Sequence, residues 1–359
     1  MKQNEIIVTY GDLVKEMVFD VLSRAKIEEL IPKNTTVGLK PNLVVARPAS
    51  SGATTSTEVV AAVIEYLRGH GINDIIILEG SWVGDSTERA FNVCGYKDIS
   101  SKYSVPLFDT KKDSSTRLSH NGLDINICDT ALKKAGFLIN LPVLKGHCQT
   151  AITCALKNMK GVIPDSEKRR FHSLGLHKPI AYLNKLRKAD FVLVDGLNGD
   201  LDFEEGGNPV QMNRIIGALD SVLVDSYVAS LMGYEPEDIG YIKIAAEIGV
   251  GSSDLARAEI IELNRDTTMA KPTSSRKVAA LAGYVNENMA CSACYGNLIY
   301  AIARLDEEGR LSRSQKFSIG QGFKGKAENG IGIGNCCSGF EKCVKGCPPK
   351  ALDIIKALA

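Results

Sequence analysis

The sequence lacks any excess of charge, with 43 Lys and Arg against 42 Asp and Glu for a net charge of +1 over 359 residues. So balanced a chain has no overall field to draw it to nucleic acid or to an acidic membrane surface, and neither is expected as a partner. It also lacks any run approaching the roughly 18 consecutive apolar residues that a membrane-spanning helix needs. The opening stretch from Met1 to Tyr10 carries Lys2 and Glu5 and is too short in apolar residues for a secretory signal, so the expected location is the cytoplasm. No Gly-x-Gly-x-x-Gly follows the early strand-like runs and no Gly-x-x-x-x-Gly-Lys-Ser/Thr loop occurs, which weakens dinucleotide and P-loop readings. There is no repeat of fixed period. The lone Trp82, near a strand end, reads as packing.

What is present is an ordinary globular composition, 44% hydrophobic and 24% charged, with enough apolar material for a large core. The length suits two domains, or one large α/β domain carrying a small module. From Thr36 to Asn264 strand-like and helix-like runs alternate. Thr36 to Lys40 reads as a strand stopped by Pro41, Thr55-Ser-Thr-Glu58 has capping-box spacing, and Val59 to Leu67 reads as a helix closed by Gly69 and Gly71. Ile75 to Leu78, Phe137 to Leu141, Phe191 to Val194 and Val222 to Val224 read as further strands. These runs are apolar on successive residues, as strands covered on both faces require. The expected fold is α/β, a mainly parallel sheet between helix layers over residues 1–265 with a basic insertion near 145–178. A small cysteine-rich module is expected over 266–359.

Six of the ten cysteines fall in that module: Cys291, Cys294, Cys336, Cys337, Cys343 and Cys347. Disulfides are disfavoured in a reducing compartment, so clustered thiols point to metal or redox chemistry. Cys291-Ser-Ala-Cys294 sets two thiols one helical turn apart, while the second half is irregularly spaced, unlike the paired knuckles of zinc ribbons. Seven glycines between Gly320 and Gly339 offer a backbone able to turn N–H groups toward cluster sulfides.

Cys291-Ser-Ala-Cys294, Gly334-Asn-Cys336 and Val344-Lys-Gly-Cys347-Pro-Pro resemble the cluster-binding segments of nickel-iron hydrogenase small subunits and their respiratory complex I relatives. The resemblance implies a [4Fe-4S] cluster on Cys291, Cys294, Cys336 and Cys347. The interval from Cys336 to Cys347 is shorter than in those subunits, which leaves Cys337 and Cys343 open as substitutes. A longer resemblance runs through Leu39-Lys-Pro-Asn-Leu43, Ala53-Thr-Thr-Ser56, Leu141-Pro-Val-Leu-Lys145, Leu156-Lys-Asn-Met-Lys-Gly161 and Asp195-Gly. Together these are similar to domain-of-unknown-function family 362, whose members often carry ferredoxin-type clusters. That resemblance implies a fold and a cluster, without a reaction.

The segment from Lys145 to Lys178 holds three of the five histidines and a local excess of Lys and Arg, suited to an anionic ligand at the carboxyl edge of a parallel sheet. Lys145 and His147 are expected to take part in chemistry. Lys40, Asn42, Lys157, Lys160 and Asp195 are expected to bind the substrate. The expected function is an iron-sulfur oxidoreductase passing electrons from the cluster to a small anionic molecule. The alternatives are a non-catalytic electron-transfer protein that docks to a redox partner, and a cluster-containing sensor.

Overall fold

In the computed structural model, residues 1–264, 280–312 and 315–358 are described. The strands in chain order are β1 (Glu5–Tyr10), β2 (Val37–Pro41), β3 (Ile75–Glu79), β4 (Leu107–Asp109), β5 (Ser115–His120), β6 (Leu123–Cys128), β7 (Phe137–Leu141), β8 (Lys145–His147) and β9 (Ala151–Thr153). They continue with β10 (Phe191–Asp200), β11 (Pro209–Ala218), β12 (Glu259–Glu262), β13 (Val285–Glu287), β14 (Phe317–Ile319), β15 (Glu328–Ile333) and β16 (Phe340–Val344). Eight of them form one sheet in the order β12-β1-β11-β10-β7-β2-β3-β4, and β5 with β6 and β8 with β9 make two separate hairpins. Every pairing in the large sheet is parallel except those of β11 with β1 and β10. The fold is the expected mainly parallel α/β sheet.

The unbroken apolar runs follow from burial on both faces. Along β3, Ile76 and Leu78 enter the core on one side and Ile75 and Ile77 the core on the other; Val192 and Val194 are divided from Phe191 and Leu193 in the same way on β10. Helices Val14–Ala25 and Thr57–Gly69 cover the second face, while His177–Leu186, Ser221–Leu231 and Gly240–Glu247 cover the first. Because successive side chains point to opposite faces, a strand between two helix layers shows no polar alternation.

Two local expectations are corrected. The helix after β2 is capped by Ser56, whose hydroxyl accepts from the Glu58 amide at 3.1 Å. Thr55, the residue the capping-box spacing selects, instead accepts from the Asn42 amide and donates to the Leu141 carbonyl, tying the ends of β2 and β7 together. Val222 to Val224 is not a strand but the first turn of helix Ser221–Leu231, capped by Asp220 through the amides of Val222 and Leu223. A helix buried on all sides is as continuously apolar as a central strand, so the run alone could not separate them.

Asp225 therefore lies inside that helix, fully buried, where its carboxylate accepts from the amides of Ala155 and Leu156 at 2.7 and 3.0 Å. Burial outweighs those two bonds and raises its pKa to about 7. A raised carboxyl pKa favours the folded state below the unfolded value and loses that advantage as pH climbs to the folded one. Relative to Asp225→Asn, the native protein is expected to lose on the order of 3–4 kcal/mol of unfolding free energy between about pH 4 and pH 7. Urea unfolding of both proteins across that range checks it, and parallel pH profiles would refute it.

The C-terminal part is a small unit of its own kind. Strands β13, β14, β15 and β16 form a second, all-parallel sheet, with helix Ser292–Glu307 and helix Ala351–Leu358 packed beside it. Its core of Leu298, Ile299, Ile302, Phe317, Ile319, Ile333 and Ile354 also takes in Phe203 from the loop joining β10 and β11. The expected boundary near residue 265 lies outside the described residues. No helix among the described residues is long and apolar enough to cross a membrane.

Candidate functional site

Four of the six C-terminal thiols share one neighbourhood. Cys291 precedes the first turn of helix Ser292–Glu307 and Cys294 lies within that turn, which brings their sulfurs into hydrogen-bonding contact. That bond is the main reason the Cys291 thiol is lowered to about 7; burial opposes it, and the cations of Lys160 and Arg169 assist. Cys294 is pushed up by the same bond, by burial, and by the negative charges of Cys291, Cys347 and Cys336. Cys336 in turn feels Cys291 and Cys347. The loops that carry Cys336 and Cys347 are clamped to each other: the Asn335 amide donates to the Gly346 carbonyl at 2.9 Å, and the Gly346 amide donates to Asn335 Oδ1 at 2.8 Å. Gly346 has φ 147° and Gly334 has φ 88°, both in the region that a side chain disfavours.

The other two thiols point elsewhere. Cys337 is buried between Phe323 and Phe340 and donates to the Ser318 carbonyl at 3.4 Å; Cys343 donates to the Gly334 carbonyl at 3.6 Å. Among the described residues, no three His, Cys, Asp or Glu side chains stand close enough to hold a single metal ion. Cys291 and Cys294 at the start of one helix, with Cys336 and Cys347 on two loops clamped to each other, make a set of four thiols, the donor type that iron-sulfur groups take.

Cys291 also lies on the wall of a cleft. The opposite wall is the carboxyl edge of the large sheet. Lys40 at the end of β2 is fully buried, and its ammonium donates to Glu79 Oε2 at 2.5 Å, to Asn158 Oδ1 at 3.2 Å and to the Pro41 carbonyl. Asn158 Nδ2 donates to Asn140 on β7, and Asn42 Nδ2 donates to Asn158 Oδ1, so the ends of β2 and β7 are knit through one amide and Lys40 adds the end of β3 through Glu79. Gly161 is required there by close approach, because a Cβ would collide with Glu79 Oε1 and Lys40 Nζ.

A second buried knot surrounds Glu204, on the loop between β10 and β11. Its carboxylate takes Lys157 Nζ on one oxygen and His147 Nε2 on the other, the latter at 3.1 Å. His147 Nδ1 accepts from the amides of Gln149 and Thr150, so the ring proton sits on Nε2 and is donated to Glu204. Burial and the nearby Lys157 cation lower the His147 pKa to about 4, and the imidazole is neutral. Burial acts to raise the Glu204 pKa, yet Lys157 and His147 together hold it well below the usual carboxylate range.

Of the residues expected to act, Asn42, Lys157 and Lys160 line the cleft, and Lys40 stands directly behind Glu79 on its wall. Lys145 and His147 do not line it. All three donors of the Lys145 ammonium are engaged, by Asn42 Oδ1 and by the carbonyls of Ala53 and Glu204, which gives it the position of a strut beneath the site. Asp195 lies on a different cavity and accepts from the amides of Ser56 and Leu197. The structure brings in four more residues. Glu204 comes from a hairpin loop whose acidic pair gave no motif, and Trp82, Lys168 and His172 line the cleft without having been chosen. Glu79, at the end of β3, lines the cleft as the carboxylate partner of Lys40.

Comparison with known proteins agrees with this extent. The family model described as "Domain of unknown function (DUF362)" matches residues 37–230, the span that carries both buried knots. A thylakoid-associated protein of Synechocystis sp. is similar at 23% identity over 232 residues, covering 59% of this chain and 67% of that one.

Proposed function

Starting from the fact that the chain belongs to the DUF362 family, whose description names no reaction, we propose that it is an iron-sulfur oxidoreductase acting on a small anionic molecule. The observation that carries this reading is that Cys291 belongs both to the group of four thiols and to the wall of the lysine-lined cleft. A [4Fe-4S] cluster, when bound by Cys291, Cys294, Cys336 and Cys347, supplies single electrons. The remaining work falls to the chain. Lys160 offsets the negative charge of the molecule, Glu204 holds Lys157 and His147 in place, and the Lys40–Glu79 pair fixes the cleft floor. Such thiols suit a reducing compartment such as the cytoplasm.

Anaerobically purified protein is expected to be brown, with broad visible absorption that dithionite bleaches and with iron and acid-labile sulfide near four each per chain for one [4Fe-4S] cluster. Colourless protein after anaerobic reconstitution would overturn the reading. One observation favours a second reading, in which the protein passes electrons to a docked acidic carrier: Cys347 is the exposed cysteine of the set, and Lys324, Lys345 and Lys350 are exposed on the same module. A bleachable cluster whose reoxidation depends on an added carrier protein, and on no small molecule, would select it.

A further inference from the structure

Most cations in and around the cleft are already spoken for. Lys40 is paired with Glu79, Lys157 with Glu204, and Lys168 donates to the carbonyls of Gly80 and Ser81 and to Asp165. Lys160 differs. Its amine has one hydrogen-bond partner, His172 Nε2 at 3.5 Å, and no salt-bridge partner among the described residues, and burial with the nearby Lys157 cation lowers its pKa to about 7, so that a bound anion would restore its charge. Charged Lys160 only donates, so with an anion bound Nε2 is the acceptor and the His172 ring proton sits on Nδ1. That Nδ1 atom is buried without a hydrogen-bond partner, on a side chain only 8% exposed. Trp82 Nε1, which is always a donor, is buried without a partner on the same cleft.

Three side chains with N–H groups left over on one cleft call for a ligand that brings acceptors, because buried donors are otherwise nearly always paired. The charge around them limits what that ligand is. Lys157, Lys160 and Lys168 against Glu79 and Glu204 leave at most one formal positive charge on the lining, three minus two. A single negative charge is balanced, whereas a second would face two carboxylates at close quarters. Beside the donors the lining turns apolar at Val44 and Val83, both half-buried.

We infer that the cleft binds a small organic monocarboxylate, its carboxylate held by Lys160, His172 and Trp82 and its apolar body lying against Val44 and Val83. This deepens the anionic-substrate reading above and rests on it. Phosphate monoesters and dicarboxylates carry too much charge for the lining, and neutral molecules leave its positive charge unbalanced.

The protein carries its own probe, since Trp82 is the one tryptophan in the chain. Titrating full-length protein with hexanoate is expected to change Trp82 emission saturably, with matching heats by calorimetry. Acetate, which lacks the apolar body, and hexanol, which lacks the charge, are each expected to bind roughly tenfold more weakly or worse, and inorganic phosphate no better than acetate. Lys160→Met and His172→Phe are each expected to weaken hexanoate by roughly tenfold or more. Lys160→Gln replaces the methionine variant if that one loses its native circular dichroism. No saturable response to hexanoate, equal affinity for hexanol, tighter binding of phosphate, or undiminished binding by the Lys160 variants would each overturn the inference. Iron content and dithionite bleaching are measured on the same samples. A bleachable cluster without hexanoate binding would sink this inference alone, and hexanoate binding without any cluster would sink the redox reading alone.

Discussion

Cys291→Ala protein is expected to emerge from anaerobic purification and reconstitution with iron, acid-labile sulfide and visible absorption near background. The thiol of Cys291 is the one in bonding contact with Cys294 and within the field of Lys160 and Arg169. Loss of a thiolate leaves an iron without its protein ligand, and a cluster held by three residues of a partly exposed site is open to solvent and oxygen. Cys294→Ala, Cys336→Ala and Cys347→Ala are expected to lose most of their iron for the same reason. Cys337→Ala and Cys343→Ala should keep it, because those sulfurs donate to the carbonyls of Ser318 and Gly334. Full cluster content in the Cys291 or Cys347 variant would remove them from the ligand set. A normal cluster in Cys336→Ala beside a lost one in Cys343→Ala would transfer the third position to Cys343.

The second large effect is on folding. Glu79→Met should destabilise the protein by about 3–5 kcal/mol, the usual result of leaving one partner of a buried ion pair uncompensated. Lys40 is 0% exposed and Glu79 3%, so water cannot replace the lost carboxylate. Burial already lowers the Lys40 pKa against the opposing pull of Glu79, and removing that pull leaves only Asn158 Oδ1 and the Pro41 carbonyl to hold the ammonium. Lys40→Met combined with Glu79→Met is expected to recover most of the loss, because two apolar side chains of similar size require no compensation. Urea unfolding of the two single variants and the double variant at pH 7 measures it. Equal stability of Glu79→Met and the native protein would show that the pair contributes nothing to the fold, and additive losses in the double variant would show that the two residues act independently.

The legible part of this protein was the part decided locally. Residues Phe137 to Leu141 form a strand over the expected span, and Ile75 to Leu78 differs by one residue at its end. A strand with both faces covered has an unmistakable density of branched apolar residues. The same density misled at Val222 to Val224, where burial on all sides makes a helix look like a strand. Lys157 and Lys160 illustrate the other limit. Helical spacing allowed both to face water, yet Lys157 is 3% exposed because Glu204 arrives from a loop 47 residues further along the chain. Sequence distance hides such a partner, and an isolated Glu-Glu pair in a hairpin carries no pattern that announces it.

By itself the sequence determined the mainly parallel α/β sheet, since two-sided burial writes itself into composition run by run, and it determined that the C-terminal thiols form a group distinct from the other four. It also marked the carboxyl edge of the sheet as the place where charged residues gather. Only the tertiary structure decided which of those residues are free to meet a ligand. Lys40, Lys145, Lys157 and Lys168 are equal to Lys160 in charge, yet each has its donors satisfied by carboxylates or carbonyls from other elements, while Lys160 has one weak neighbour. The physical reason is that desolvating an ammonium forces it to find acceptors wherever the fold provides them, and which acceptors come within reach is settled by the packing of distant segments.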